Sequence, residues 1–165
     1  MTGPTTFDWQ PRLADATVAI RPLTEADRAG LTAAASDPEV WAGHPAKDRW
    51  KPEVFGPYFD FLLGTGEAVA IVDSATGAII GCSRYYPVPD DPESVGIGYT
   101  FLDRAHWGGA TNFAVKALMV TLPLGDVAAV TDRVSPSTSV SFERTVIGAE
   151  APESSATVSS GVAAE

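Results

Sequence analysis

The chain is 165 residues long, 45% hydrophobic and 19% charged, which sets the expectation of one soluble domain with a core of its own. Twenty-one acidic against eleven basic side chains give a net charge of −10, which argues against a nucleic-acid surface while leaving room for a local pocket for one small anion. One cysteine and two histidines exclude an internal disulfide and any zinc-type ligand set, so no metal is expected.

No apolar run approaches the ~20 residues that span a bilayer, and the segment MTGPTTFDWQPRLAD has neither a basic leader nor a signal-type apolar stretch. A cytoplasmic protein without membrane contact is expected. ATVAIRPL, Ala16 to Leu23, reads as a first strand. TEADRAGLTAAAS follows, with Thr24 and Asp27 spaced as a capping box before alanine-rich helix-forming sequence.

Pro38, Pro45 and Pro52 punctuate the next region. Val54, Phe55, Tyr58, Phe59, Phe61 and Leu62 recur there at near-helical spacing across Gly56 and Pro57, which predicts two short, broken helices. EAVAIVD and AIIGCSRYY around SATG predict a hairpin, and SVGIGYTFL a further strand after a PVPDDPE loop. A helix is expected from about Gly109 to Val120, with Ala114, Leu118, Val115 and Met119 on adjacent stripes. Beyond Leu122 the chain is Ser/Thr/Ala-rich. DVAAV offers one more strand, and the last fifteen or so residues have a disordered composition.

This order is that of an α/β domain with a mixed sheet. Chemistry is sought where a strand passes through glycines into a helix, at DRAHWGGATNF. Unpaired N–H groups at a helix start carry about half a positive charge, so Gly108, Gly109, Thr111, Asn112 and Arg104 could hold a pyrophosphate. The same glycines also suit a plain strand-to-helix turn, and residue types alone leave both readings open. The loop is neither a Walker A sequence nor a dinucleotide G-x-G-x-x-G.

RPLTEAD, GEAVAIVDSATGAIIGCSRYY and GIGYTFLDRAHWGGATNFAVKALM, in that order and spacing, resemble the GNAT acyltransferase superfamily, and within it the branch acting on protein N-termini and related amines. The likeness runs from about Thr17 to Thr121. It implies a mixed, mostly antiparallel central sheet flanked by helices, with the acetyltransferase domain in residues 1–122 (core from about 16) and an incomplete or partly disordered C-terminal segment in 123–165.

The resemblance further implies that acetyl-CoA is the co-substrate. Its pyrophosphate would lie on Trp107, Gly108, Gly109, Ala110, Thr111 and Asn112, with Arg104 alongside, and its pantetheine arm beside Tyr99, Thr100, Phe101 and Leu102. The acceptor would be a primary amine, on a protein N-terminus or a small molecule, attacking directly in a ternary complex of a monomer or homodimer.

For the acceptor pocket the candidates are Trp41, His44, Asp48, Trp50 and Tyr58; core packing for the aromatics and a turn role for His44 are the alternatives. For catalysis they are Tyr99 and Glu93, with half-buried strand packing for Tyr99 and a solvated loop acid outside the strand for Glu93 as the favoured alternatives. The family's usual strand glutamate corresponds here to Gly96. The C-terminal segment lacks the family's Asn and Tyr, and a reading-frame change near Thr121 would account for that, since Val130 to Val140 can then spell DRPRFTFHVG. The competing expectation is a non-catalytic acyl-CoA-binding or interaction domain.

Overall fold

The structure of the protein, a computed structural model, describes residues 7–120 and 129–132. Six strands form one sheet in sequence order: β1 (Leu13–Ala14), β2 (Val18–Pro22), β3 (Ala68–Asp73), β4 (Ile79–Val88), β5 (Asp91–Leu102) and β6 (Ala129–Asp132). The pairings are antiparallel through β5, and β6 adds in parallel. The helices are α1 (Arg28–Ala34), α2 (Pro52–Thr65) and α3 (Thr111–Val120).

Asp27 organises the entry to α1. Its carboxylate accepts from the Thr24 N–H at 2.9 Å and from Arg21 through two bonds of 2.8 Å, so a buried acid is neutralised where β2 turns into the helix. The box expected at Thr24 and Asp27 is present, although its first turn, Glu25–Asp27, is a 3-10 turn.

The two broken helices expected over 38–64 are corrected to a 3-10 turn at Pro38–Trp41 and one unbroken helix α2 of 14 residues. Pro57 removes one N–H from α2, but Phe55, Tyr58, Phe59 and Leu62 are buried along one face, at roughly 1.5–3 kcal/mol for each large side chain. That burial outweighs the lost bond. Gly66, at φ 65°, ends the helix in the left-handed conformation.

The first strand is narrower than Ala16 to Leu23, and the short β1 had no sequence signal. The expected PVPDDPE loop is also corrected. β4 runs to Val88, Val88 pairs with Asp91, and Pro89–Asp90 alone make the turn, with Asp90 at φ 65°. Glu93 therefore has its backbone inside β5 rather than outside the strand. The strand expected at DVAAV lies slightly further on, at Ala129–Asp132, while the tail from 133 onward falls outside the described residues.

Two apolar layers sandwich the sheet. On one face Val18, Ile20, Ile71, Ile80, Tyr85, Ile97 and Leu102 pack against Val115 and Met119 of α3, and the Tyr85 hydroxyl donates to the Met119 carbonyl at 2.8 Å. On the other, Ala70, Cys82 and Phe101 meet α1 and α2 through Leu31, Phe55, Phe59 and Leu62. Among the described residues no helix is long and apolar enough to cross a membrane.

Candidate functional site

The centre of interest is an irregularity in β5. Cys82 pairs with Phe101 and Arg84 with Gly98, so the single residue Ser83 of β4 faces two residues, Tyr99 and Thr100, of β5. This is a bulge, and Tyr99 sits in it at φ 57°. A left-handed tyrosine costs roughly 1–3 kcal/mol and persists only where its surroundings hold it.

Those surroundings are specific. The Arg84 guanidinium lies 4.8 Å from the Tyr99 ring centre and 5.4 Å from that of Phe61, and is fixed by bonds of 2.6 and 3.0 Å to Glu67 Oε2. The Phe61 and Tyr86 rings stand 5.9 and 6.0 Å from Tyr99. On the opposite side of the strand the hydroxyls of Ser83 and Thr100 bond at 2.7 Å.

The second irregularity lies on the outer edge of β5. β6 pairs with Ser94 to Ile97, and among the described residues no strand pairs with Gly98–Leu102 on that side. A polar ligand with amide groups can add there as a further strand.

That open edge leads to the loop. A 3-10 turn at Arg104–His106 is capped by Asp103, and Trp107 donates from Nε1 to the Leu102 carbonyl at 3.0 Å. Gly108 adopts φ 73°, and a Cβ built on either Gly108 or Gly109 meets nothing within 4 Å. Ala110 accepts the first intrahelical bond of α3, from Ala114 at 2.9 Å, and has no side-chain oxygen with which to cap the helix. The start of α3 thus lies beside two exposed glycines, a setting in which helix N–H groups can meet an anion.

Arg104 lies 4.8 Å over the Trp107 ring, with Glu39 at 3.5 Å. Asn112 Oδ1 is the one buried side-chain polar atom without a partner among the described residues. These features fit a pyrophosphate.

His106 anchors the loop from behind. Its Nδ1 meets Asp103 and its Nε2 meets Asp73 at 3.2 Å, at the start of the β3–β4 turn. Burial lowers the His106 pKa, but hydrogen bonds to the two carboxylates more than offset it and the net shift is upward. A raised folded-state pKa means that this anchor contributes fully below about pH 6.5, the unfolded value, and is lost as pH rises through the folded value. Thermal melts across neutral to mildly alkaline pH are expected to show a decline that His106→Gln abolishes. Superimposable pH profiles for the two proteins would contradict the assignment.

The acceptor candidates are only partly brought together. Trp41 is buried and donates from Nε1 to the Ala35 carbonyl at 2.9 Å, which makes it core. His44 Nδ1 accepts from the Ala46 N–H at 2.9 Å, the turn role. Burial, and then the nearby Arg49, lower its pKa. Asp48 is exposed and pairs with Lys51 at 3.3 Å, away from the bulge. Trp50 is half-buried against the α1/α2 layer. Tyr58 is buried, with burial raising its pKa, and it stacks at 6.4 Å on Phe61 and so borders the Tyr99 cluster. Cys82 is fully buried, which pushes its thiol up to about 12 and makes it packing.

Sequence reasoning missed Arg84, Glu67, Phe61 and Tyr86. Their signal lies in strand register, since Arg84 becomes a neighbour of the bulge only through its pairing with Gly98. The β4–β5 register also explains Gly96, which faces Tyr86. A Cβ built there would lie 2.4 Å from two ring carbons, so the space of a side chain at 96 is filled from the neighbouring strand. No group of three or more His, Cys, Asp or Glu side chains arranged to hold a metal occurs among the described residues.

Comparison with known proteins follows this geometry. The family profile described as acetyltransferase (GNAT) domain matches residues 17–134. Among solved structures the chain is similar to an acetyltransferase (GNAT family) from Bacillus anthracis, at 9% identity and TM-score 0.62, covering 74% of this chain and 72% of that one. It is also similar to a GCN5-related N-acetyltransferase from Brucella melitensis, at 18% identity and TM-score 0.57, covering 68% of this chain and 57% of that one. RimJ of Mycobacterium smegmatis, solved in complex with CoA-disulfide, aligns at 17% identity and TM-score 0.51, covering 75% of this chain and 66% of that one. No curated protein sequence matches. At these identities the structural likeness establishes the fold, and the profile establishes the family.

Proposed function

Because the chain belongs to the acetyltransferase (GNAT) domain family, we propose that it is an acetyl-CoA-dependent N-acetyltransferase acting on a primary amine of a protein N-terminus or a small molecule. One observation carries this reading: the bulge at Tyr99, the β5 edge that has no partner strand among the described residues and the start of α3 beside two exposed glycines lie in succession along one stretch of chain, in the order a CoA thioester presents its groups.

The co-substrate supplies the activated acetyl group. Gly108, Gly109 and the first N–H groups of α3 hold the pyrophosphate, with Arg104 adding a cation and Thr111 and Asn112 polar side chains. Gly98–Leu102, including Tyr99, Thr100, Phe101 and Leu102, run beside the arm and offer backbone groups to its amides. The backbone at the bulge, left out of the ladder, donates to the oxygen on which charge develops as the amine attacks. Arg84, Phe61 and Tyr86 position that backbone by enclosing the Tyr99 ring. Tyr99 serves through its main chain, and its side chain, 38% exposed, forms part of the acceptor wall with Tyr58.

A proton must leave the attacking amine. The structure offers Glu67 beside the cluster. Both Arg84 bonds go to its Oε2, so Oε1 is the oxygen left to receive it. Glu93 keeps only its position in β5 as support for such a role.

The test is thiol release from acetyl-CoA with a panel of small amines and N-terminal peptides, run beside acetyl-CoA titration by calorimetry. Acceptor-dependent thiol release with micromolar binding is expected. Binding with no turnover on any acceptor would instead establish a non-catalytic acyl-CoA-binding domain.

A further inference from the structure

Arg49 is a partly buried arginine that forms no ion pair among the described residues. Arg21 has Asp27, Arg28 has Glu25 and Asp60, and Arg84 has Glu67. Among the described residues Arg49 has no carboxylate, in a chain where acids outnumber bases by 21 to 11. Asp48, its neighbour in sequence, pairs with Lys51 instead.

What surrounds Arg49 is aromatic and uncharged. Its guanidinium lies 3.8 Å over the Tyr58 ring and 5.6 Å from that of Trp41. Stacking uses the face of the guanidinium plane and leaves its N–H edge available. Among the described residues His44 Nε2, at 3.4 Å, is the one group on that edge, and His44 is held toward its neutral form. Tyr58, whose phenol burial keeps protonated, supplies no counter-charge either.

The position matters as much as the missing partner. From Arg49 the ring contacts run through Tyr58 to Phe61 at 6.4 Å and on to Tyr99 at 5.9 Å, along the α1/α2 face. Phe61 and Tyr99 are 47% and 38% exposed, so this row of rings borders solvent between the guanidinium and the bulge. We propose that Arg49 is the anchor for a carboxylate carried by the acceptor, several bonds from its reacting amine. The inference rests on the acetyl-transfer reading for the place of the amine, at Tyr99. A carboxylate meets the planar N–H edge through two parallel bonds, which a lysine at this position could not reproduce. The aromatic row accommodates the apolar chain that joins the two ends.

Binding can be read without turnover, because Trp41 and Trp50 flank the site and report through intrinsic fluorescence. Two sets of probes separate the sources of such a carboxylate. One is a series of ω-aminoalkanoic acids of graded length, each beside its carboxamide. The other is a set of tripeptides with aspartate or asparagine at the second or third position. In at least one set the carboxylate member is expected to bind about tenfold or more tightly, with an optimum in chain length. Arg49→Gln should erase that preference, and Arg49→Lys, which keeps charge and stem, should retain only part of it. Equal affinities for acids and amides in both sets, or a preference that survives Arg49→Gln in folded protein, would overturn the proposal. An intact carboxylate preference without thiol release on any amine would overturn the acetyl-transfer reading and leave the Arg49 site standing.

Discussion

Gly109→Asp is expected to weaken acetyl-CoA binding by about 100-fold or more while leaving the protein folded. The substitution is diagnostic because a Cβ at this position meets nothing within 4 Å, so bulk alone does no harm to the fold. What changes is charge, since a carboxylate is set against a pyrophosphate at the positive end of α3. Charge-assisted bonds from a helix start and an arginine are each worth roughly 1.5–3 kcal/mol, and every 1.4 kcal/mol is tenfold in affinity. Loss of about two such interactions gives the stated factor. Calorimetric titration of both proteins, with matched melting curves as the control for folding, measures it. Equal affinity would place the phosphates elsewhere.

The second large effect concerns Gly96, the position at which the family resemblance leads one to look for a glutamate. Gly96→Glu is expected to destabilise the protein by about 1–3 kcal/mol, because its Cβ collides with the Tyr86 ring at 2.4 Å and must drive that ring from its place against Tyr99. Tyr86→Ala opens the space. In the double variant the two changes should therefore be non-additive by at least about 1 kcal/mol in the favourable direction. Denaturant titrations of wild type, both single variants and the double variant close the cycle. Strict additivity would mean that the ring and the glycine do not compete for one volume. A side chain at 96 and the Tyr86 ring are alternatives for one volume, and this chain has taken the tyrosine.

Much of this site could be read before the structure, and what could not has a common cause. The Trp107–Asn112 loop, the hairpin around SATG and the capping box at Thr24 and Asp27 are local. Each rests on residues within a few positions of one another, where spacing in sequence is spacing in space. The Tyr99 cluster is not local. Arg84 reaches Tyr99 only because Ser83 is opposed by two residues, and Glu67 reaches Arg84 because it directly precedes Ala68, the β3 residue paired with Arg84. Bulges and registers of this kind are decided by the whole sheet. α2 was misjudged for a related reason. Gly56 and Pro57 argue locally for a break, whereas the four buried side chains that hold the helix together find their partners across the domain. The setting of Arg49 was equally out of reach, since it depends on where the described carboxylates lie in the fold.

The sheet divides the interior into two layers, and that division bears on how such a protein can change. The face against α3 continues into the Trp107–Asn112 loop proposed for the co-substrate, while the face against α1 and α2 carries the aromatic wall, Arg84 and Arg49. Substitutions that alter one layer reach the other chiefly through strand backbone, and among the partly buried apolar residues described only Trp107 packs against both. If the proposed sites hold, lineages descended from such a scaffold can exchange one acceptor for another by drift in α1, α2 and the segment between them, while the loop on the α3 side is kept; the strand β5, which serves both, is where the two constraints meet.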